Sequence, residues 1–141
     1  MLLFLMLSLT SFAKVPDTNE ILKIYAEIQK EMASDKLDEA RAVTAKSLKK
    51  FEAIPKAQEG AKAFSATTDK ETGRKEFGTL SQAIVDALKA DPKLQANWQL
   101  FYCPMVPKGN YRYWIQAKGE SLKNPYFGSE MLECGVKRPW S

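Results

Sequence analysis

The sequence predicts a mainly α-helical fold, an up-and-down four-helix bundle with a C-terminal aromatic-rich segment, a short β-hairpin and loops, packed on it. Three observations lead there. Apolar residues recur at three- and four-residue steps between positions 20 and 90. Proline and glycine punctuate that stretch at helix-length intervals. Nine of the fifteen aromatic residues, with all three tryptophans, fall between positions 98 and 141.

Asp17-Thr18-Asn19-Glu20 has the form of a capping box, in which the aspartate accepts from free amides of the first turn and the glutamate reaches back. Ile21, Ile24, Tyr25, Ile28 and Met32 then stack on one face, which assigns Met32 to the core. Ser34 or Asp35 is the expected cap of a second helix with the stripe Leu37, Ala40, Thr44, Leu48 and Phe51. Pro55 should stop it, because proline lacks a donor and restricts Ile54. These two helices should form an antiparallel hairpin.

A third helix over 56–66 turns Ala57, Ala61 and Phe64 inward, while Gly60 costs it about 1 kcal/mol relative to alanine. The fourth starts between Asp69 and Gly73 and runs through Phe77, Leu80, Ile84, Val85 and Leu88 to Ala90, ending at Asp91-Pro92. Beyond it, 101–105 and 111–116 read as strands joined by a turn at Pro107-Lys108-Gly109-Asn110. Asn124-Pro125-Tyr126-Phe127-Gly128 reads as a further turn. Ser129 should then cap a single helical turn through Met131 to Cys134, closed by Gly135.

Residues 1–13 are uncharged, rich in Leu, Phe and Met, and end Ser11-Phe12-Ala13, the pattern of a signal peptide cleaved after Ala13. The run is shorter than the roughly 20 apolar residues that span a bilayer. The expectation is a periplasmic or secreted protein with no stable membrane insertion after cleavage. Residues 14–141 then make one domain, with a helical bundle over 14–91 and the C-terminal segment over 92–141.

Charge and composition exclude several classes. Lys and Arg number 21 against 17 Asp and Glu, for a net charge of +4, and the two signs alternate along the chain, so no nucleic-acid partner is expected. Histidine is absent, which removes the usual base for a Ser or Cys nucleophile. No glycine-rich phosphate loop occurs, and Cys103-Pro104-Met105 is not the Cys-x-x-Cys of a thiol oxidoreductase. The chain is therefore not expected to be an enzyme.

The two cysteines carry the sharpest functional signal, because each has a methionine close by: Cys103-Pro104-Met105 and Met131-Leu132-Glu133-Cys134. Thiolate and thioether are the soft donors that select Cu(I). In an extended segment Cys103 and Met105 point the same way, and on a helical turn Met131 and Cys134 share a face. Brought together, Cys103, Met105, Met131 and Cys134 would hold one Cu(I). Zinc would need Glu130 or Glu133 beside the thiols and would leave the methionines without a role. A Cys103–Cys134 disulfide is the alternative, ordinary for an exported protein and worth about 3.5–4 kcal/mol in the chain-entropy model. In that state no cofactor is expected.

Tyr102-Cys103-Pro104-Met105, then Tyr113-Trp114, then Asn124-Pro125-Tyr126-Phe127-Gly128 with Met131, Cys134 and Gly135, resembles a family of small exported helical domains. That family has no settled function. Its members occur alone or fused to adaptor (membrane-fusion) subunits of copper and heavy-metal efflux systems. The likeness is by motif over the C-terminal segment and by pattern only over the helices. It implies a copper association, with Cys103, Met105, Met131 and Cys134 as ligands and an efflux-pump adaptor or another copper-handling protein as partner. Members also carry histidine in the helices, which this chain lacks. Val106 stands where a related Cys-Pro-Met-His pattern has its histidine. The expected function is a soluble exported Cu(I)-binding protein for sequestration or delivery. The alternative is a disulfide-braced helical protein-interaction module without metal.

Overall fold

Asp17 starts the first helix by accepting a hydrogen bond from the Asn19 amide at 3.0 Å. The computed structural model describes residues 17–141, so the expected signal peptide at 1–13 lies outside the described residues. Helix α1 (Thr18–Ala33) buries Ile21, Tyr25, Ile28 and Met32 as its periodicity predicts, while Leu22 is buried in addition and Ile24 only in part. Glu20 does not close the capping box; its carboxylate pairs with Lys50. Helix α2 (Leu37–Ser47) starts after Lys36 with no side-chain cap. Neither expected cap serves it: Ser34 ends α1, and Asp35 sits at φ 60° and turns its carboxylate toward the Ser129 amide (3.2 Å) and hydroxyl.

Pro55 begins a helix rather than ending one. A single 3-10 turn, Lys50–Ala53, carries Phe51 into the core after α2 has stopped. Pro55 then takes the first position of α3 (Pro55–Ser65), where the missing N–H would have no partner anyway. Helix α4 (Lys70–Ala90) is capped by Asp69, which accepts from the Thr72 amide at 2.9 Å. Gly60 has a packing reason: a Cβ there would lie 2.8 Å from the Leu80 N and Cα, so its absence lets the α3 and α4 backbones touch. Successive helices pack on one another, α1 on α2, α2 on α3 and α3 on α4. Phe77 of α4 stacks on Tyr25 at 5.9 Å and takes the edges of Phe64 and Tyr126 at 6.0 and 5.6 Å.

After a 3-10 turn over Pro92–Gln95, the chain forms β1 (Trp98–Tyr102), β2 (Tyr113–Ala117) and β3 (Val136–Arg138), an antiparallel sheet ordered β2-β1-β3. Trp98 opposes Ala117 and Tyr102 opposes Tyr113. β1 ends earlier than its apolar run predicts because Pro104 has no N–H to give the ladder, whose last bond runs from Cys103 N to Arg112 O at 3.0 Å. The turn between the strands is where the sequence places it, with Asn110 N donating to Pro107 O at 3.2 Å. β3 was not expected. Its three residues are all exposed and carry no apolar alternation.

Polar side chains join the two parts. Tyr25 Oη and Ser81 Oγ lie 2.6 Å apart, Ser81 Oγ donates to Tyr113 O at 2.7 Å, and Tyr126 Oη donates to the same carbonyl at 2.6 Å. Gln116 accepts from Trp114 Nε1 and from Lys123 N at 3.0 and 2.9 Å. Among the described residues no buried side-chain donor or acceptor lacks a partner, and no helix is long and apolar enough to cross a membrane.

Candidate functional site

The two cysteines meet. Cys103 is fully buried where the β1 ladder ends, and Cys134, half-buried in the C-terminal loop, lies near the Cys103 thiol without reaching disulfide distance. Both are free thiols. Tyr126 lies close enough to Cys103 to be influenced by it, and its phenol is pushed well up, first by burial and then by Tyr25 and Cys103, against a lowering hydrogen bond from Ser81.

Asn124 holds Cys134 there. Its fully buried side chain accepts from the amides of Tyr126 and Phe127 at 2.8 and 3.1 Å, and its Nδ2 donates to Cys134 O at 2.7 Å. Its own amide reaches Leu132 O at 2.7 Å. One asparagine thus ties both ends of the 124–134 loop, which explains why the Asn-Pro turn precedes the cysteine. Gly135 is required by close approach. A Cβ there would lie 2.7 Å from Trp114 Cη2 and 2.9 Å from Leu122 Cδ1, so the backbone beside Cys134 rests on the indole.

The methionines are placed differently from the expectation. The chain does not run on extended past Cys103; it turns, with Val106 N approaching Cys103 O at 3.5 Å, so Val106 re-enters the core and Met105 stays 55% exposed. The helical turn expected from Ser129 to Cys134 is replaced by a 3-10 turn over Gly128–Glu130. A hydrogen-bonded turn over 131–134 follows, in which Cys134 N donates to Met131 O at 3.0 Å. Met131, at φ −148°, is half-buried in the turn that carries Cys134. Sequence spacing therefore identified the two loops, but the local conformations that would aim all four sulfurs at one point are not the ones adopted.

The surrounding charges leave the thiols to themselves. Glu130 pairs with Lys70 at 2.6 Å and faces Arg74 at 3.7 Å, and the Lys70 hydrogen bond, then the Arg74 and Lys70 charges, hold its carboxyl below the usual range. Glu133 is exposed. Among the described residues no three His, Cys, Asp or Glu side chains gather as a metal cluster, so a tetrahedral zinc site has no third donor of that kind beside the thiols. Burial first, then the proximity of Cys103, pushes the Cys134 thiol up. Two close thiols in apolar surroundings have two chemical options. They can release protons to a soft cation, or they can be oxidised to a bridge.

Comparisons with known protein families, with curated proteins and with solved structures give no match for this chain.

Proposed function

We propose that the protein is an exported Cu(I)-binding protein that sequesters or delivers the ion in copper handling or efflux. The observation that carries this reading is the meeting of Cys103 and Cys134 from two separate loops, beside Tyr126 and with no imidazole in the chain. Two thiolates suit a low-coordinate Cu(I). We assign Met131, in the same turn as Cys134, as a thioether completing the shell, and Met105 as a solvent-facing thioether that meets the incoming ion. The four helices serve in this reading as an up-and-down bundle on which the two loops are mounted. An adaptor subunit of an efflux pump is the proposed partner on the family resemblance, and the periplasm is the proposed compartment on the signal-peptide pattern of residues 1–13.

Titration of the reduced protein with Cu(I) against a colorimetric Cu(I) chelator tests this. One equivalent should be withheld by the wild-type chain and lost in Cys103→Ser and in Cys134→Ser, with smaller losses in Met131→Leu and Met105→Leu. Binding should weaken as pH falls, because the ion competes with the thiol protons. A protein that never competes with the chelator, or serine variants that compete as well as wild type, would reject the reading. The same juxtaposition supports a second one, a disulfide-braced interaction module. There, air-oxidised protein should lose two hydrogens in intact mass and gain thermal stability, while the reduced form ignores Cu(I).

A further inference from the structure

A second surface lies at the end of the hairpin where the 103–112 connection leaves β1 and enters β2. Tyr102 and Tyr113, opposed in register, meet at 5.3 Å between ring centroids. Three cations lie over these rings: Arg138 and Arg112 over Tyr102 at 4.9 and 5.6 Å, and Lys89 over Tyr113 at 5.5 Å. Arg112 Nη1 also donates to Tyr102 Oη at 3.1 Å, and Gln99 Nε2 fixes the Arg138 carbonyl at 3.0 Å. The ion pairs among the described residues use Lys36, Arg41, Lys50, Lys70 and Arg74, and none uses these three. The nearest acids along α4 are otherwise engaged, Asp86 with Gln82 and Asp91 with the Lys93 amide.

We propose that this face docks an extended acidic segment of a partner protein. Guanidinium groups held over a tyrosine ring keep N–H donors for a carboxylate, Arg112 having given one of its own to Tyr102 Oη, and their prior placement lowers the entropy lost on binding. A nucleobase needs a free ring to stack on, and here the rings are already covered by cations. The occupant is therefore an anion without an aromatic plane. The strand order leaves β3 paired on one side only, with Arg138 on it. An extended segment alongside β3 would bring several carboxylates to Arg138 and Arg112 at once. The cleft between the start of α4 and the 106–111 and 126–130 loops, about 400 Å³, carries less free positive charge, because two of its three cations, Lys70 and Arg74, already serve Glu130 and Asp35 and only Lys75 is left. The docking face adjoins the strand end that carries Cys103, with Cys103 N donating to Arg112 O at 3.0 Å, but it uses neither thiol and does not depend on the metal reading.

The test is fluorescence anisotropy of a labelled octaglutamate peptide at low salt, with octaglutamine as the uncharged probe. Arg112→Gln/Arg138→Gln should weaken octaglutamate binding about tenfold or more, since each lost charge-assisted pair carries that order of effect. Lys46→Gln/Lys49→Gln removes the same charge from the exposed α2 region and should change it less than about twofold. Arg112→Lys/Arg138→Lys, which keeps charge but not the planar fork, should fall between. Equal losses in the two glutamine pairs would overturn the proposal in favour of net charge alone. Tighter binding of a single-stranded oligonucleotide or of phosphatidylglycerol vesicles through the same arginines would also overturn it. Should the glutamine pair not fold, amide shifts in the wild-type chain decide: movement at Tyr102, Arg112 and 136–138 supports the site, and movement confined elsewhere refutes it.

Discussion

The helical stretch and the C-terminal stretch solve burial by different means. In α1, α3 and α4 the core is a repeating stripe of apolar side chains, and removing water from that stripe is what fixes each helix. Between positions 98 and 141 the regular elements are three short strands, and buried polar groups set the loops: Asn124 ties Tyr126, Phe127 and Cys134, and Gln116 ties Trp114, Ser121 and Lys123. The first kind of core tolerates slippage by small steps. The second has one solution, because each amide group must find its partner at once. The two thiols sit in the second kind, where relative position is specified most tightly.

Trp114 is the buried centre of the C-terminal stretch, stacked on Phe101 at 5.4 Å and edge-on at 6.0 Å to Tyr126, which in turn meets Phe77 of α4 at 5.6 Å, so its loss should do the greatest damage. Trp114→Ala is expected to cost about 3–5 kcal/mol in denaturant unfolding. Survival with less than about 1 kcal/mol lost would mean the C-terminal stretch is not anchored through the indole. Asn124→Ala sharpens the comparison. It should cost about 1–3 kcal/mol by leaving amides and a carbonyl unpaired. The damage should be local, with hydrogen exchange speeding up across 124–138 while α1 and α3 stay protected. Uniform loss of protection would make the two regions one cooperative unit. Gly60→Ala tests the helical side. Its Cβ meets backbone at 2.8 Å, so α3 and α4 must part, at about 1–3 kcal/mol. Cys134 should react with thiol reagents as before.

The same contrast explains what was legible in the sequence. Local pattern placed all four helices, with the Asp17 cap, the start of the fourth between Asp69 and Gly73 and the burial of Met32, because a helix face is a local property of the chain. Asp35 escaped that reading because its partner, Ser129, is remote in sequence. β3 escaped because Val136, Lys137 and Arg138 are exposed and pair only through backbone. Soft-donor spacing pointed to two loops, and their cysteines do lie near each other. The directions of Met105 and Met131 depended on assuming an extended and a helical conformation. Pro104 and the 3-10 turn at Gly128–Glu130 replaced these with turns.

The smallest expected effects are those of pH. Burial raises the phenols of Tyr25 and Tyr126 and the thiol of Cys134 above their usual values. The unfolded chain releases these protons first, so stability should fall as pH rises past about 8.5 for the thiol and about 10 for the phenols. Phenylalanine at 126 should flatten the upper limb. At the acid end, hydrogen bonds from Ser129 hold the Asp35 carboxyl below its usual range. That contribution is complete above the unfolded value, about 4, and is lost as pH drops through the lower folded one. Being solvent-exposed, it is worth less than about 1 kcal/mol, and Asp35→Asn should remove the acid-side slope by that amount.

The proline that halts β1 also arranges the two sulfurs in depth, with Cys103 sealed beneath and Cys134 toward the solvent. Alkylation should therefore be sequential. A small electrophile consumes Cys134 quickly, and its inner neighbour reacts only at the slow tempo of loop opening, so that one labelled position acts as a gatekeeper for the other.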